Sequence, residues 1–207
     1  MTIDEIMRAA PVIPVLVLDD TLDPAALAKT LVDAGLPVIE VTLRTPGAIA
    51  AIKAMSSVPG AIVGAGTVLN ETQLNAALDA GSEFIVSPGL TEPLAQAVER
   101  AGVAYLPGIA TAADLMRGLD LGLSRFKFFP AEASGGIAAL KALSAPFAEA
   151  CFCPTGGIRA DTAADWLALP SVLCVGGSWI VRPGEADLTA IGERADQAAA
   201  LGNKSSI

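Results

Sequence analysis

The stretch Phe84-Ile85-Val86-Ser87-Pro88-Gly89-Leu90-Thr91-Glu92-Pro93 contains the unit from which the fold is predicted. Its apolar first half, residues 84–88, is typical of a short buried strand. Thr91-Glu92-Pro93 then supplies a capping hydroxyl and an early proline, which mark the start of a helix. Gly102 falls where that helix should end, and a second apolar run begins at Ala104. A strand, a helix and another strand in this order predict one step of a parallel sheet.

The same unit recurs along the whole chain. Apolar runs that we interpret as strands occupy residues 12–18, 38–43, 61–67, 84–88, 104–109, 125–130, 151–156 and 172–178. Successive runs begin 20 to 26 residues apart, which leaves room for a strand, a helix of about 10–12 residues and two short loops. Further helix starts are indicated at Asp23-Pro24, Thr45-Pro46, Asn70-Glu71 and Asp161, and further helix ends at Gly35, Gly81 and Gly122.

Eight repeats of this unit predict closure into a (β/α)₈ TIM barrel. We expect a single α/β domain over residues 1–207, because no linker, charge run or low-complexity segment marks a second one. The N-terminal helix within residues 1–10 has room for little more than two turns, which bears on how the barrel floor is plugged. The polar residues 203–207 would form a frayed tail. An open doubly wound sheet is the alternative that the pattern leaves open.

Composition and charge narrow the function classes. The chain of 207 residues is 53% hydrophobic but only 4% aromatic, which suits parallel strands covered on both faces by Ala-rich helices. A net charge of −9 argues against nucleic acid or an anionic membrane as a partner. No apolar run reaches the length of a membrane span.

The chain contains no histidine. Ser-His-Asp and Cys-His mechanisms, and zinc held by imidazole, are therefore excluded within this subunit. Proton transfer must fall to a carboxylate, a lysine, a thiol, the single Tyr105, or water.

The three cysteines, Cys151, Cys153 and Cys174, lie inside predicted strands. Their odd number and apolar surroundings predict reduced thiols rather than a disulfide or a metal site. Residues 1–5 are acidic where a signal peptide would be basic. Both features predict a cytoplasmic protein.

The segment Arg125-Phe126-Lys127-Phe128-Phe129-Pro130 places one lysine inside an aromatic run that is typical of a buried strand. Lysine is almost never fully buried unless something pairs with it. Burial disfavours the ammonium form, so we expect Lys127 to be held uncharged in an apolar pocket, as a nucleophile towards a carbonyl. From this strand alone, the simpler interpretation is that the stem packs on the rings while the ammonium reaches a carboxylate.

Polar residues interrupt the apolar runs at or near the carboxyl ends of the predicted strands. They are Glu40 and Arg44 on the second strand, Thr67 on the third, Lys127 on the sixth, Thr155 on the seventh and Ser178 on the eighth. Ser87-Pro88-Gly89 closes the fourth strand and Pro107-Gly108-Ile109 closes the fifth. Because a barrel enzyme keeps its active site at this end, these residues are predicted to surround one site.

Two glycine pairs indicate a phosphate site. Thr155-Gly156-Gly157-Ile158 follows the seventh strand, and Gly176-Gly177-Ser178-Trp179 ends the eighth. Glycine lets backbone N–H groups approach an anion, and a helix N-terminus that follows would add its positive end. The loops after these two strands are the usual phosphate site of a TIM barrel, so a phosphorylated ligand is predicted.

Six motifs together resemble one family. They are Val38-Ile39-Glu40-Val41-Thr42-Leu43-Arg44, Gly64-Ala65-Gly66-Thr67-Val68-Leu69, Ser87-Pro88-Gly89, Phe126-Lys127-Phe128-Phe129-Pro130-Ala131-Glu132, Pro154-Thr155-Gly156-Gly157-Ile158 and Gly176-Gly177-Ser178-Trp179. In order and in one register, they resemble the 2-keto-3-deoxy-6-phosphogluconate (KDPG) aldolases, which also act on 4-hydroxy-2-oxoglutarate. The resemblance runs from about residue 12 to about residue 181.

The resemblance implies a Schiff-base (class I) aldolase that uses no metal and no cofactor. Such an enzyme cleaves the phosphorylated keto acid to pyruvate and glyceraldehyde 3-phosphate. By this resemblance, Lys127 attacks the C2 ketone and forms an iminium, and Glu40 is the general acid/base, acting through a water. Glu132, although inside a matching motif, is assigned a surface or helix-capping role.

The resemblance also implies how the substrate binds. Arg44 would hold the substrate carboxylate, Thr67 would donate a hydroxyl, and Pro88 and Phe129 would pack on the pyruvyl unit. Thr155 would contact a substrate hydroxyl and favour the gluconate-derived epimer over the galactonate one. The phosphate would be held by Gly156, Gly157, Gly177 and Ser178.

The partners implied are the phosphorylated keto acid, pyruvate and, since the family usually forms trimers, two further copies of the chain. Two alternatives stay open at this point. A barrel that binds phosphosugars without turnover would need neither Lys127 nor Glu40. Another phosphate-binding barrel enzyme, such as an isomerase or a thiamine- or tryptophan-pathway synthase, would not require a lysine between phenylalanines on the sixth strand.

Overall fold

Strands and helices alternate along the chain in a computed structural model that describes residues 1–19 and 21–204. The strands are β1 Val12–Leu16, β2 Val38–Thr42, β3 Ile62–Gly66, β4 Phe84–Ser87, β5 Ala104–Ile109, β6 Arg125–Phe128, β7 Cys151–Pro154 and β8 Val175–Gly177. The helices are α1 Ile3–Arg8, α2 Pro24–Asp33, α3 Ala48–Met55, α4 Glu71–Asp79, α5 Glu92–Ala101, α6 Ala112–Asp120, α7 Gly136–Ser144, α8 Ala163–Leu167 and α9 Leu188–Ala199.

The strands form one parallel sheet in the order β7-β6-β5-β4-β3-β2-β1-β8. The two ends of that order meet, because Thr155 just after β7 pairs with Gly176 of β8, and Phe152 pairs with Val172. The sheet is therefore a nearly closed eight-stranded barrel with helices around it, in a single domain. The predicted TIM barrel is confirmed, and the open doubly wound sheet is wrong.

Several helices begin and end where the sequence indicates. Asp23 caps α2 by accepting a hydrogen bond from the Ala26 N–H at 2.7 Å, and Asn70 caps α4 in the same way. Gly102 ends α5 in the left-handed conformation. The local signals were sufficient here because each cap is made by residues within one turn of the helix.

Two helix starts were wrong. We predicted that Thr45-Pro46 would begin a helix, but α3 starts at Ala48, and the Thr45 hydroxyl is buried with no hydrogen-bond partner among the described residues. We predicted another start at Asp161, but α8 starts at Ala163. The Asp161 carboxylate is instead held by the Arg159 guanidinium, with Nε and Oδ1 3.0 Å apart.

The apolar core has an inner and an outer part. The outer part lies between the strands and the helices. The inner part fills the barrel floor with side chains that are almost fully buried, namely Ile6, Met7, Ile13, Val38, Phe84, Val86, Leu106, Cys153 and Cys174. We call these nine residues the floor cluster. Two of them come from α1, so the short N-terminal helix does plug the barrel.

Helix α1 is fixed by its cap and by one ion pair to the barrel. Thr2 and Glu5 form a reciprocal capping box at its start. Asp4 Oδ1 lies 2.6 Å from Nε of Arg125, the first residue of β6. The cap fixes the start of the helix, and the ion pair holds it against the barrel.

All three cysteines are free thiols. The pKa of the Cys174 thiol is raised well above its usual value, mainly by a hydrogen bond with Cys153 and also by burial.

The backbone of residues 200–204 forms a 3₁₀ turn. The rest of the predicted frayed tail, residues 205–207, lies outside the described residues. Within residues 1–19 and 21–204, no helix is both long enough and apolar enough to cross a membrane.

Candidate active site

Lys127 and Glu40 meet near the barrel axis. Strand β6 carries the lysine and β2 the glutamate, and these strands lie four places apart in a ring of eight, so they face each other. Nζ of Lys127 is 2.8 Å from Oε1 and 3.1 Å from Oε2 of Glu40. The two residues are only 5% and 3% exposed. The sequence placed both at the mouth of the barrel, and the structure brings them into direct contact.

This contact corrects the expectation that an apolar pocket keeps Lys127 uncharged. The amine is hydrogen-bonded to a carboxylate, and the ring of Phe129 lies near it, with its centroid 5.5 Å from Nζ. A buried ion pair of this kind compensates part of the cost of removing both charges from water. The simpler interpretation of the lysine strand was right about a carboxylate partner, which is the predicted proton-transfer residue itself. Local sequence could not reveal it, because 87 residues separate the two.

Thr155 directly follows β7, the strand that pairs with β6. It is 5% exposed, and its hydroxyl is 3.4 Å from the Cys153 carbonyl oxygen, a long hydrogen bond. Across the seam between β7 and β8, a Cβ added to Gly176 would overlap the Thr155 hydroxyl and lie 2.8 Å from Cγ2. Gly176 therefore leaves the space that the Thr155 side chain occupies.

Arg44 and Thr67 lie in the turns that follow β2 and β3. Arg44 is exposed, and its guanidinium makes no hydrogen bond or ion pair to another described residue. Thr67 has φ +59°, which is an outlier for a β-branched residue. Such backbone strain concentrates at ligand sites, where the surrounding structure holds it in place.

The turn that carries Pro88 is held from outside the barrel. Ser87 Oγ donates a hydrogen bond to the Gly89 carbonyl oxygen at 2.8 Å and shares another with the Tyr105 hydroxyl at 2.7 Å. Since the one Ser87 proton is used, Tyr105 donates in the second bond. Burial raises the pKa of Tyr105 to about 12. Tyr105, one candidate for proton transfer in the sequence, therefore supports a turn instead.

The comparisons with known proteins show which family the chain resembles. Residues 3–193 match the aldolase family described as KDPG and KHG aldolase. A 2-dehydro-3-deoxy-phosphogluconate aldolase of Zymomonas mobilis is 56% identical over 199 residues, which cover 96% of each chain. The KHG/KDPG aldolase of Escherichia coli K12 is 52% identical over 179 residues, 86% of this chain and 84% of that protein.

The chain belongs to the KDPG and KHG aldolase family. It is an aldolase, a carbon–carbon lyase. The crystal structure of the Legionella pneumophila KDPG aldolase is 41% identical, covers 96% of this chain and 98% of its own, and superimposes with a TM-score of 0.92. It contains pyruvate captured at low pH as a covalent carbinolamine intermediate. The alternative barrel enzymes considered from the sequence are therefore wrong for this family member.

The first glycine pair of this aldolase has a backbone conformation with two successive positive φ angles. Gly156 has φ +104° and Gly157 has φ +82°, a left-handed run that only glycine adopts readily. Gly177 and Ser178 lie at the end of β8, and Ser178 is exposed. The helix N-terminus expected directly after each pair is absent, because α8 begins only at Ala163 and α9 only at Leu188.

Glu132 is the residue that sequence reasoning undervalued. Its N–H donates to the Gly156 carbonyl oxygen at 3.0 Å, and its Oε1 accepts from Nε1 of the fully buried Trp166 at 3.1 Å. Glu132 is exposed, as predicted for a surface residue, and these two hydrogen bonds also tie the loop after β6 to the glycine loop after β7 and to α8. The one sequence signal for this role of Glu132 was its place in a matching motif.

Within the described chain, histidine, cysteine and acidic side chains form no cluster that could hold a metal ion.

Proposed function

We propose that this aldolase cleaves 2-dehydro-3-deoxy-6-phosphogluconate to pyruvate and glyceraldehyde 3-phosphate through a Schiff base on Lys127. It also cleaves 4-hydroxy-2-oxoglutarate to pyruvate and glyoxylate. The observation that carries the proposal is the buried pair of Lys127 and Glu40, with 2.8 Å between Nζ and Oε1. The names of the relatives support the substrate, and the carbinolamine in the Legionella enzyme supports the type of intermediate.

The first half of the reaction forms the Schiff base. Moving a proton from the Lys127 ammonium to the Glu40 carboxylate leaves a neutral amine and a neutral acid in the buried site, where separated charges are costly. Nζ then attacks the C2 carbonyl carbon, and a proton moves from the nitrogen to the carbonyl oxygen to give the neutral carbinolamine. Glu40 supplies the proton that lets this hydroxyl leave as water, which gives the iminium.

The second half breaks the carbon–carbon bond. Glu40, now a carboxylate, removes the C4 hydroxyl proton through a water. The C3–C4 electron pair moves into the iminium, which yields the enamine and releases glyceraldehyde 3-phosphate. Glu40 returns the proton to C3 of the enamine, and water hydrolyses the resulting iminium to free pyruvate and the Lys127 ammonium, which restores the starting pair. One carboxylate can serve these steps because they follow each other at adjacent atoms.

The turns around Lys127 and Glu40 bind the keto-acid end of the substrate. Arg44, which has no partner among the described residues, pairs with the substrate carboxylate through two parallel N–H donors. The strained Thr67 presents its hydroxyl to the same end. Pro88 and the half-buried Phe129 pack on the three-carbon pyruvyl unit and exclude bulk water from the amine.

The loops after β7 and β8 bind the other end of the substrate. Gly156, Gly157, Gly177 and Ser178 hold the phosphate with backbone N–H groups and one hydroxyl. Thr155 lies between this site and Lys127, and it contacts a substrate hydroxyl in a way that favours the gluconate-derived epimer. No helix begins at either loop, so the N–H groups of the loops themselves provide the attraction.

We also propose that the enzyme acts in the cytoplasm as a homotrimer. The support for the trimer is the resemblance to a family that usually forms trimers. The support for the location is the set of free, mostly buried thiols, which suits a reducing compartment. Light scattering on the purified protein measures the oligomeric state directly, and a monomer in dilute solution would rule out the trimer.

Pyruvate release, coupled to lactate dehydrogenase, tests the proposed reaction. The panel contains the phosphogluconate-derived acid, its C4 epimer, both acids without phosphate, and 4-hydroxy-2-oxoglutarate. We expect the phosphorylated gluconate-derived acid to have the highest kcat/KM, and removal of its phosphate to raise KM most. No pyruvate from any member would overturn the function, and a preference for the epimer would overturn the role of Thr155.

A further inference from the structure

Two glycines of strand β3 occupy positions that face the inside of the barrel. Gly64 and Gly66 lie two apart on this strand, so both face the same side of the sheet. A Cβ added to Gly64 would overlap the ring of Phe84 in the floor cluster. A Cβ added to Gly66 would overlap Oε1 of Glu40 and lie 2.7 Å from Cγ and 2.8 Å from Cδ. One glycine therefore makes room for the floor, and the other makes room for the carboxylate.

The carboxylate reaches Gly66 by leaning along its strand. Glu40 is paired in register with Gly64, whereas Gly66 is paired with Thr42. Side chains on a strand lean along the strand direction, so the Glu40 carboxylate can lie over a neighbour one pair nearer the mouth. In that position both of its oxygens lie within hydrogen-bond distance of Lys127 Nζ.

Neither side of this contact can move away easily. The Gly66 carbonyl oxygen accepts a hydrogen bond from the Leu43 N–H at 2.8 Å, which ties β3 to β2 just beyond their ladder. The Glu40 side chain is buried at 3% exposure, with Lys127 on its other side. A methyl group at Gly66 must therefore be accommodated by displacement of the carboxylate.

We infer that Gly66 is a positioning residue, which sets the place of the Glu40 carboxylate against Lys127 by leaving the space that the carboxylate occupies. The inference rests on the proposed roles of Glu40 and Lys127. Gly66 has no side chain and transfers no proton, and it acts only through Glu40. The expected consequence is that adding one methyl group at Gly66 impairs the proton transfers while Lys127 stays intact.

The test combines Gly66→Ala with Glu40→Asp in a double-mutant cycle. General acid–base catalysis contributes about 10²–10⁴-fold, so we expect Gly66→Ala to lower kcat and proton exchange at the pyruvate methyl by about 100-fold or more. The shorter aspartate withdraws from the added methyl group. In the unmodified enzyme, Glu40→Asp should therefore lower kcat. In the Gly66→Ala enzyme, the same substitution should leave kcat unchanged or raise it.

Two further glycines serve as controls. Gly64→Ala, on the same strand, overpacks the floor cluster and should lower the melting temperature. Its effect on kcat should be independent of Glu40→Asp, so that the double variant shows the product of the two single effects. Gly192 lies inside α9, where the nearest heavy atom to an added Cβ is a Thr30 methyl carbon at 3.4 Å. Gly192→Ala should therefore leave kcat unchanged and raise the melting temperature slightly, because alanine favours a helix more than glycine does. Independent effects of Gly66→Ala and Glu40→Asp on kcat would overturn the inference.

A crystal structure of the Gly66→Ala protein separates this inference from the proposed function. We expect the distance between Glu40 and Lys127 Nζ to exceed hydrogen-bond range in that structure. If the carboxylate stays within 3.1 Å of Nζ, as it is now, the inference is wrong whatever the activity. If the unmodified protein releases no pyruvate, the proposed function is wrong, while a displaced carboxylate would still support the positional role of Gly66.

Discussion

The floor and the mouth of the barrel are built from the same strands, but the floor is lined by apolar side chains and the mouth by polar and charged ones. Strand β2 gives Val38 to the floor cluster and Glu40 to the active site, and β7 with the residue after it gives Cys153 and Thr155 in the same way. Because inward-facing positions recur every second residue, a step of two along a strand changes an apolar layer into a reactive one. Stability and chemistry are thus separated along the barrel axis, and substitutions at the two ends should have different effects.

The largest effect is expected at the mouth, from Lys127→Ala. Without the amine no iminium can form, and we expect no detectable cleavage of either substrate. The Glu40 carboxylate also loses its buried partner, so the protein should become less stable. Coupled pyruvate release measures the first effect, and urea unfolding of the two proteins measures the second. If turnover fell less than about 10³-fold, another nucleophile would be indicated.

Glu40→Gln tests the proton-transfer half of the site. The amide keeps the size of the carboxylate but cannot take up or return a proton. We expect kcat to fall about 10²–10⁴-fold while KM changes little, because Glu40 is not assigned to substrate binding. Deuterium exchange at the pyruvate methyl, followed by NMR, isolates the enamine step. Unchanged exchange would refute the role of Glu40.

Phe84→Ala tests the floor. It removes a fully buried ring from the floor cluster and should lower the free energy of unfolding by about 3–5 kcal/mol. Turnover per folded molecule should stay within a few-fold of the original, since the ring belongs to the apolar layer below the site. Urea titration followed by fluorescence gives the stability. A loss of turnover as large as that of Glu40→Gln would contradict the separation of floor and mouth.

The smallest effect is expected from Asp4→Asn, which loosens the helix that plugs the floor. Hydrogen bonds from Arg8 and then Arg125 hold the pKa of Asp4 below its usual value. Its stabilisation is therefore present above the unfolded pKa of about 3.9 and is lost as the pH falls through the lower folded value. After allowance for solvent screening, we expect Asp4→Asn to cost about 1 kcal/mol or less at pH 7.

The pH dependence of that cost provides the check on Asp4. Thermal unfolding of both proteins between pH 7 and pH 3 should show the difference shrinking as the pH approaches the acid end. A difference that stays constant, or grows towards low pH, would mean that the Asp4 carboxylate does not provide the stabilisation.

The sequence predicted the barrel well because its signals are local. Several apolar runs lie beside their own cap or helix-ending glycine, as Asn70 and Gly102 show. The strand ends were less accurate: the run predicted over 172–178 contains a strand only from Val175 to Gly177. Apolar character continues through the turns that enter and leave a strand, whereas the hydrogen-bonded ladder stops earlier.

The site was predicted as a set of residues but not as a set of contacts. Glu40 and Lys127 could each be assigned to the mouth from their own strands, but their ion pair depends on closure of the barrel. The support that Tyr105 gives to the Pro88 turn, and the tie from Glu132 to Trp166, join separate strands and helices in the same way. Such contacts form only when distant segments come together, so no local pattern encodes them.

The central claim is that Lys127 is the amine that condenses with the keto acid. Incubation with pyruvate and borohydride, followed by peptide mass spectrometry, tests it most directly, because reduction makes the Schiff base permanent. We expect a reduced pyruvyl adduct on Lys127 and on none of the other lysines, and no adduct in the Lys127→Ala protein. An unmodified Lys127, or an adduct carried by a different lysine, would contradict the account.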